Sequence, residues 1–110
     1  MIEVECQISI KKDGVSFVNP LKVQLIKEIR NNGSLSGAAK KMEISYQHVW
    51  TMVKEMNRIA PSSLFLKQRG GANGGGTSIS DYGERILREY QTIQAEIKKV
   101  VDQINIEINL

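Results

Sequence analysis

Ser45, Tyr46, Gln47, Trp50, Thr51 and Lys54 lie close together in one polar stretch of the chain. Read as a helix, this stretch turns Val49, Val53, Met56 and Ala60 to one side and Tyr46, Gln47, Trp50, Thr51 and Lys54 to the other. The outward set suits contact with a duplex. A glutamine amide offers the donor and acceptor that match adenine, a threonine methyl can touch a thymine methyl, and a lysine neutralises a phosphate. Ser45 at the helix start leaves backbone amides free to face an anion. The plainer reading of Ser45-Tyr46-Gln47-His48 is a capped, solvated helix start, and of Trp50 a roof over a core.

Catalytic chemistry finds no comparable set. His48 is the only histidine and Cys6 the only cysteine, so neither a metal site nor an internal disulfide can be assembled. The carboxylates are scattered, with no pair placed for acid–base work. No cofactor is expected, and the reading is not an enzyme. Charge agrees with a polyanion partner. The net charge is +3 over 110 residues, but positions 40–70 carry six basic side chains against Glu43 and Glu55. Positions 81–110 carry four basic and six acidic ones. A basic middle and an acidic tail suggest one face turned to the polyanion and one turned away. The alternative is a merely solvated face. The apolar runs are too short to span a bilayer, and the start lacks a signal-peptide pattern, so the expected setting is the cytoplasm.

The elements that would hold this helix can be read on both sides of it. Ile2, Val4, Cys6, Ile8 and Ile10 alternate with polar residues, which predicts a strand, and Asp13-Gly14 predicts a hairpin turn to Val15-Ser16-Phe17. Asn19-Pro20 opens a first helix whose apolar positions are Leu21, Leu25, Ile26 and Ile29, with Val23 on a flank, and Asn31-Asn32-Gly33 stops it. Ser34 or Ser36 caps a second helix containing Ala38 and Ala39, and Ile44 plugs the turn before the third. Leu64-Phe65-Leu66 and Thr77-Ser78-Ile79 flank a run of glycines, a hairpin tip by this reading or a flexible linker by the other.

Ser80 caps the last helix. Ile86, Tyr90, Ile93, Ile97, Val100 and Ile104 are spaced alternately four and three apart, the seam of a two-helix coiled coil. This predicts a homodimer. Ile104, Ile106, Ile108 and Leu110 also alternate, leaving the final residues open between helix and strand. The whole is mostly α with a small β part: a winged helix-turn-helix over residues 1–80 with its N-terminal strand or hairpin, and a long C-terminal dimerisation helix over residues 81–110.

Gly33-Ser34-Leu35-Ser36, Ala38-Ala39, Ser45-Tyr46, Trp50, Met56-Asn57, the glycine run and Ser80-Asp81-Tyr82-Gly83 together resemble the N-terminal DNA-binding domain of the ModE family of molybdate-responsive transcription regulators. The resemblance runs from about Pro20 to Gln94. It implies DNA contact by Ser34, Ser36, Lys40, Ser45, Tyr46, Gln47, Trp50, Thr51 and Lys54, and by Arg69, Gly71, Asn73 and Gly74 of the wing. LysR-type regulators share the helix-turn-helix and long helix but do not usually carry the glycine run or Trp50.

In the family a separate module of small β-barrels binds molybdate. Nothing after residue 81 would build it, so sensing is expected to fall to a separate molybdate-sensing or effector protein. Family wings often carry a basic residue among their glycines. Here the tip holds Ala72 and Asn73, and the nearest cations are Lys67 and Arg69. The leading expectation is a homodimeric, sequence-specific binder of double-stranded DNA. The alternatives are a winged-helix module that docks on protein, a LysR-like fragment, and a protein that holds molybdate directly.

Overall fold

The computed structural model describes residues 1–68 and 76–110, and its elements follow the local signals closely. Strands β1 (Ile10–Lys12) and β2 (Val15–Val18) form an antiparallel hairpin. Its turn puts Asp13 and Gly14 both at positive φ, 52° and 79°, the conformation a two-residue hairpin of matching twist requires. Helix α1 (Pro20–Asn32) begins where the Asn19 side chain accepts the Lys22 N–H, with proline in the first turn. It ends at Gly33, whose left-handed backbone returns its N–H to the Ile29 carbonyl at 2.8 Å.

Helix α2 (Leu35–Met42) is capped by Ser34, and Ser36 lies within the helix, exposed. Glu43 takes the left-handed position that turns the chain toward α3 (Tyr46–Ile59), capped by Ser45. Strands β3 (Phe65–Lys67) and β4 (Thr77–Ile79) pair antiparallel, Phe65 opposite Ile79 and Lys67 opposite Thr77. Helix α4 (Asp81–Glu107) starts at the Ser80 cap.

The core joins these elements through Phe17, Val18, Val23, Leu25, Ile26, Ile29, Ala38, Val49, Met52, Met56, Ile59, Leu64, Phe65, Leu87 and Tyr90. Each large aliphatic side chain buried here contributes about 1.5–3 kcal/mol. Two details differ from the sequence reading. Val23 is buried and Leu21 exposed in α1. In α3 the inner stripe is Val49, Met52, Met56 and Ile59, with Val53 and Ala60 only partly covered. The realised stripe steps by three, four and three, which keeps it on one line down the helix.

A larger correction concerns the N-terminus. The alternation of residues 2–10 predicts a strand, yet only its end, from Ile10, enters a ladder. The partner strand β2 has four residues and stops at the Asn19 cap, so residues 2–9 find no neighbouring strand among the described residues. They are tied to α4 instead. Val4 N–H donates to the Asn105 side-chain oxygen at 2.6 Å, the Asn105 amide donates to the Val4 carbonyl at 3.1 Å, and the Tyr90 hydroxyl donates to the Ile8 carbonyl at 2.9 Å.

Helix α4 is continuous for 27 residues, about 40 Å at 1.5 Å per residue. It holds Ile104 and Ile106 within the helix, so these residues are not strand. The boundary expected at residue 81 falls inside the core: Gly83, Leu87 and Tyr90 of its first turns are buried. Beyond Tyr90 its residues are almost all exposed.

Candidate nucleic-acid interface

Helix α3 divides cleanly. Its inner stripe anchors it, and its other side presents Tyr46, Gln47, Trp50, Thr51 and Lys54, all exposed. Ser45 Oγ accepts the His48 N–H at 3.0 Å, fixing the start of the helix. Thr51 Oγ1 donates to the Gln47 carbonyl at 2.8 Å, so its hydroxyl is held by the helix and its methyl is the group free for an outside contact. Lys54 Nζ sits 4.3 Å from the centre of the Trp50 ring, a cation–π contact that steadies both side chains. Trp50 is 39% exposed and Tyr46 53%. Trp50 therefore does not roof the core. No hydrogen bond within the described residues holds the Gln47 amide or the Tyr46 hydroxyl, which leaves both for a ligand.

Beside α3 lies a groove of about 310 Å³, bordered by Ser34 and Ser36 at the start of α2, by Tyr46, and by Lys67 and Thr77 at the root of the wing. Ser34 Oγ accepts the Gly37 N–H at 2.9 Å. Lys40 and Lys67 are exposed. Arg69, Gly71, Asn73 and Gly74 lie outside the described residues.

Two residues without an assigned role in the sequence reading govern this geometry. Asn57 accepts the N–H groups of Leu64 and Phe65 at 2.8 and 3.0 Å and donates to the Phe65 carbonyl at 3.0 Å. It ties the end of α3 to the first wing strand. Gly76 opens the second: Thr77 N–H donates to the Gly33 carbonyl at 2.8 Å, and a Cβ on Gly76 would stand 2.2 Å from that oxygen. The wing root is thus joined to the peptide just before the α2 cap. Asn57 could have been suspected as a polar residue between buried Met56 and Ile59, but Gly76 is indistinguishable in sequence from the glycines before it.

The expected seam on α4 is split. Tyr90 is 1% exposed and belongs to its own core, with its hydroxyl bonded to Ile8, and Ile86 packs against that core. Tyr90 is a correction to the dimerisation set, because it completes the domain's own core, whereas Ile86 is half-buried at that core's edge. Burial pushes the Tyr90 hydroxyl above its ordinary value of 10.0. Ile93, Ile97, Val100 and Ile104 remain exposed, Ile97 at 37% and Val100 at 58%. Elsewhere the Arg58 guanidinium bonded to Glu55 holds that carboxyl below its ordinary value, on a pair at the surface. Among the described residues no three His, Cys, Asp or Glu side chains gather into a metal site. No helix among them is long and apolar enough to cross a membrane.

The sequence is 38% identical over 94 residues to the transcriptional regulator ModE of Haemophilus influenzae, covering 86% of this chain and 37% of that protein. It is 30% identical over 104 residues to the dual regulator ModE of Escherichia coli, covering 94% of this chain and 40% of that one. The chain is a relative of the ModE transcriptional regulators. It spans about two fifths of the length of the curated ModE proteins it matches. The molybdenum-pterin-binding protein MopB of Rhodobacter capsulatus is also 30% identical, over 89 residues. No family model matches.

Among solved structures, the winged-helix fold of this ModE relative is shared by the LysR-type regulator LysG of Corynebacterium glutamicum. That match has a TM-score of 0.56 at 24% identity and covers 84% of this chain and 31% of LysG. ZitR of Lactococcus lactis gives 0.59 at 12% identity, covering 97% and 73%.

Proposed function

We propose that this ModE relative binds double-stranded DNA in a sequence-specific manner as a homodimeric transcription regulator. The observation that carries the reading is the outward face of α3. It offers an unbonded amide at Gln47, a bare methyl at Thr51 and a held cation at Lys54, on a helix whose opposite side is buried. A helix of this width fits a major groove about 12 Å across. Gln47 would address an adenine edge and Thr51 a thymine methyl. Lys54, Lys40 and the α2 start at Ser34 and Ser36 would address phosphate, with the wing along the flanking backbone. Ile93, Ile97, Val100 and Ile104 would meet their copies on a second chain, placing two recognition helices on one face of the duplex. The setting is the cytoplasm, the role is regulatory and not enzymatic, and relatives named for molybdenum support molybdate as the signal, read by this protein or by a separate effector protein.

A gel shift against the DNA upstream of its own coding region, titrated with salt, tests this. Affinity should fall steeply as salt rises, because phosphate contacts release counterions. Equal affinity for operator and random duplex at every salt concentration would sink sequence-specific binding.

The exposed rings of Tyr46 and Trp50 favour one other reading, a winged helix that docks on protein. A protein that shifts no duplex at low salt would promote it.

A further inference from the structure

We propose that Trp50 is a positioning residue: its indole face seats the Lys54 ammonium for a backbone phosphate, and the ring itself reads no base. This rests on the duplex binding proposed above and concerns a side chain given no task there.

The helix period sets the layout. Tyr46, Trp50 and Lys54 stand four residues apart and form one row along the outward side of α3. Gln47 and Thr51 form the next row, on the side away from the wing. Tyr46 borders the groove beside the wing, and Trp50 does not. Trp50 and Lys54 therefore stand beside the two side chains suited to base edges, where the flanking phosphates of a groove would pass.

Charge separates the two cations of α3. Arg58 gives two of its nitrogens to Glu55, so its charge is answered within the helix. Lys54 makes no ion pair among the described residues. Its ammonium lies over the Trp50 ring instead, 4.3 Å from the centre. A carboxylate in that place would cancel the charge that a phosphate needs. A ring face attracts the cation through its quadrupole and leaves the whole positive charge in place. The lysine stem is flexible, and an unheld ammonium must give up that freedom on reaching a phosphate. The tryptophan has two side-chain torsions and is 39% exposed, against 53% for Tyr46. The ring is the fixed member of the pair, and the ammonium is what it holds.

The other tasks open to Trp50 fit this geometry less well. Its exposure takes it out of the core. An indole N–H only donates, so it cannot match the paired donor and acceptor of a base edge. Wedging between bases needs a bare ring, and Lys54 lies over this one.

Two measurements on the intact chain test the role. Trp50 is the sole tryptophan, so its fluorescence, excited where tyrosine does not absorb, reports the pair without DNA. Lys54→Ala uncovers the ring and should raise its quenching by acrylamide. Gel shifts against the upstream duplex then compare Trp50→Leu, Lys54→Ala and the double variant. Trp50→Leu should weaken binding about two- to fivefold, the size of a cation–π contact at an exposed site. On top of Lys54→Ala it should cost nothing further, a coupling that a merely structural tryptophan would not show. Trp50→Phe keeps a ring face and should recover most of the loss, and both Trp50 variants should rank operator variants as wild type does. Additive losses, or a changed preference at one base pair, overturn the positioning role while duplex binding stands. Quenching that ignores Lys54 overturns the pair itself. A protein that shifts no duplex while its quenching still depends on Lys54 overturns the DNA reading, and the positioning role falls with it.

Discussion

Asn57 holds Phe65 by both of its backbone polar groups: Phe65 N–H donates to the Asn57 side-chain oxygen and the Phe65 carbonyl accepts from its amide, each at 3.0 Å. One side chain at the end of α3 thereby acts as a strand neighbour for β3, and the wing inherits its direction from α3. Asn57→Ala leaves three backbone groups without their partner, counting Leu64 N–H. The expected loss is about 2–4 kcal/mol, at about 1 kcal/mol or more for each bond left unmade. Urea denaturation checks it; a midpoint unchanged from wild type would show that the wing is held by its core contacts alone.

Gly76→Ala acts on the opposite wing strand. The added methyl meets the Gly33 oxygen, so the Thr77 bond to Gly33 must open. A weaker grip on DNA flanking the site is expected, with the centre of the footprint retained. Hydroxyl-radical footprinting separates the two, and uniform loss across the site would count against it.

Gln47→Ala should cost about 1–3 kcal/mol and relax preference at one base position, while Lys54→Ala should weaken all sequences about equally and reduce the salt slope by about one. Competition binding with operator variants distinguishes them. If Gln47→Ala ranks every variant as wild type does, α3 is not reading bases through that residue.

Ile97→Asp places a charge where the seam is exposed on the single chain, so the fold should stand and the dimer should not. Sedimentation should give a monomer, and operator affinity should fall far below wild type. A dimer that survives the change would move the interface away from α4.

Tyr90 ties stability to alkaline pH. Its folded pKa is raised by burial, so its contribution is fully present below its ordinary value of 10.0 and is lost as pH rises through the folded value. Tyr90→Phe removes the bond to Ile8, costing about 1 kcal/mol at neutral pH, and should narrow its deficit against wild type as pH climbs. Thermal melts across that range decide; a constant gap would mean that the hydroxyl never resists ionisation.

Several parts of the site were legible because their causes are local. Ser34, Ser45 and Ser80 announce helix starts, since a short hydroxyl side chain can reach an N–H three residues on. Asp13-Gly14 announces a turn because both residues tolerate positive φ. The outward set on α3 follows from helical period alone.

What remained hidden depended on which neighbour each segment met. The alternation of residues 2–10 is a true strand pattern, yet a strand forms only against another, and β2 is too short to supply one. The spacing from Ile86 to Ile104 is one unbroken seam in sequence. The tertiary structure cut it after Tyr90, because the small core needed the first turns of α4 and had no more surface to cover the rest. Sequence by itself determined where helices start, where the hairpin turns, and which side of α3 is polar, since those depend on interactions spanning a few residues. Only the folded chain decided that Asn57 and Gly76 aim the wing and that Asn105 and Tyr90 hold the N-terminus. Those contacts join residues far apart in the chain, and no local periodicity encodes them.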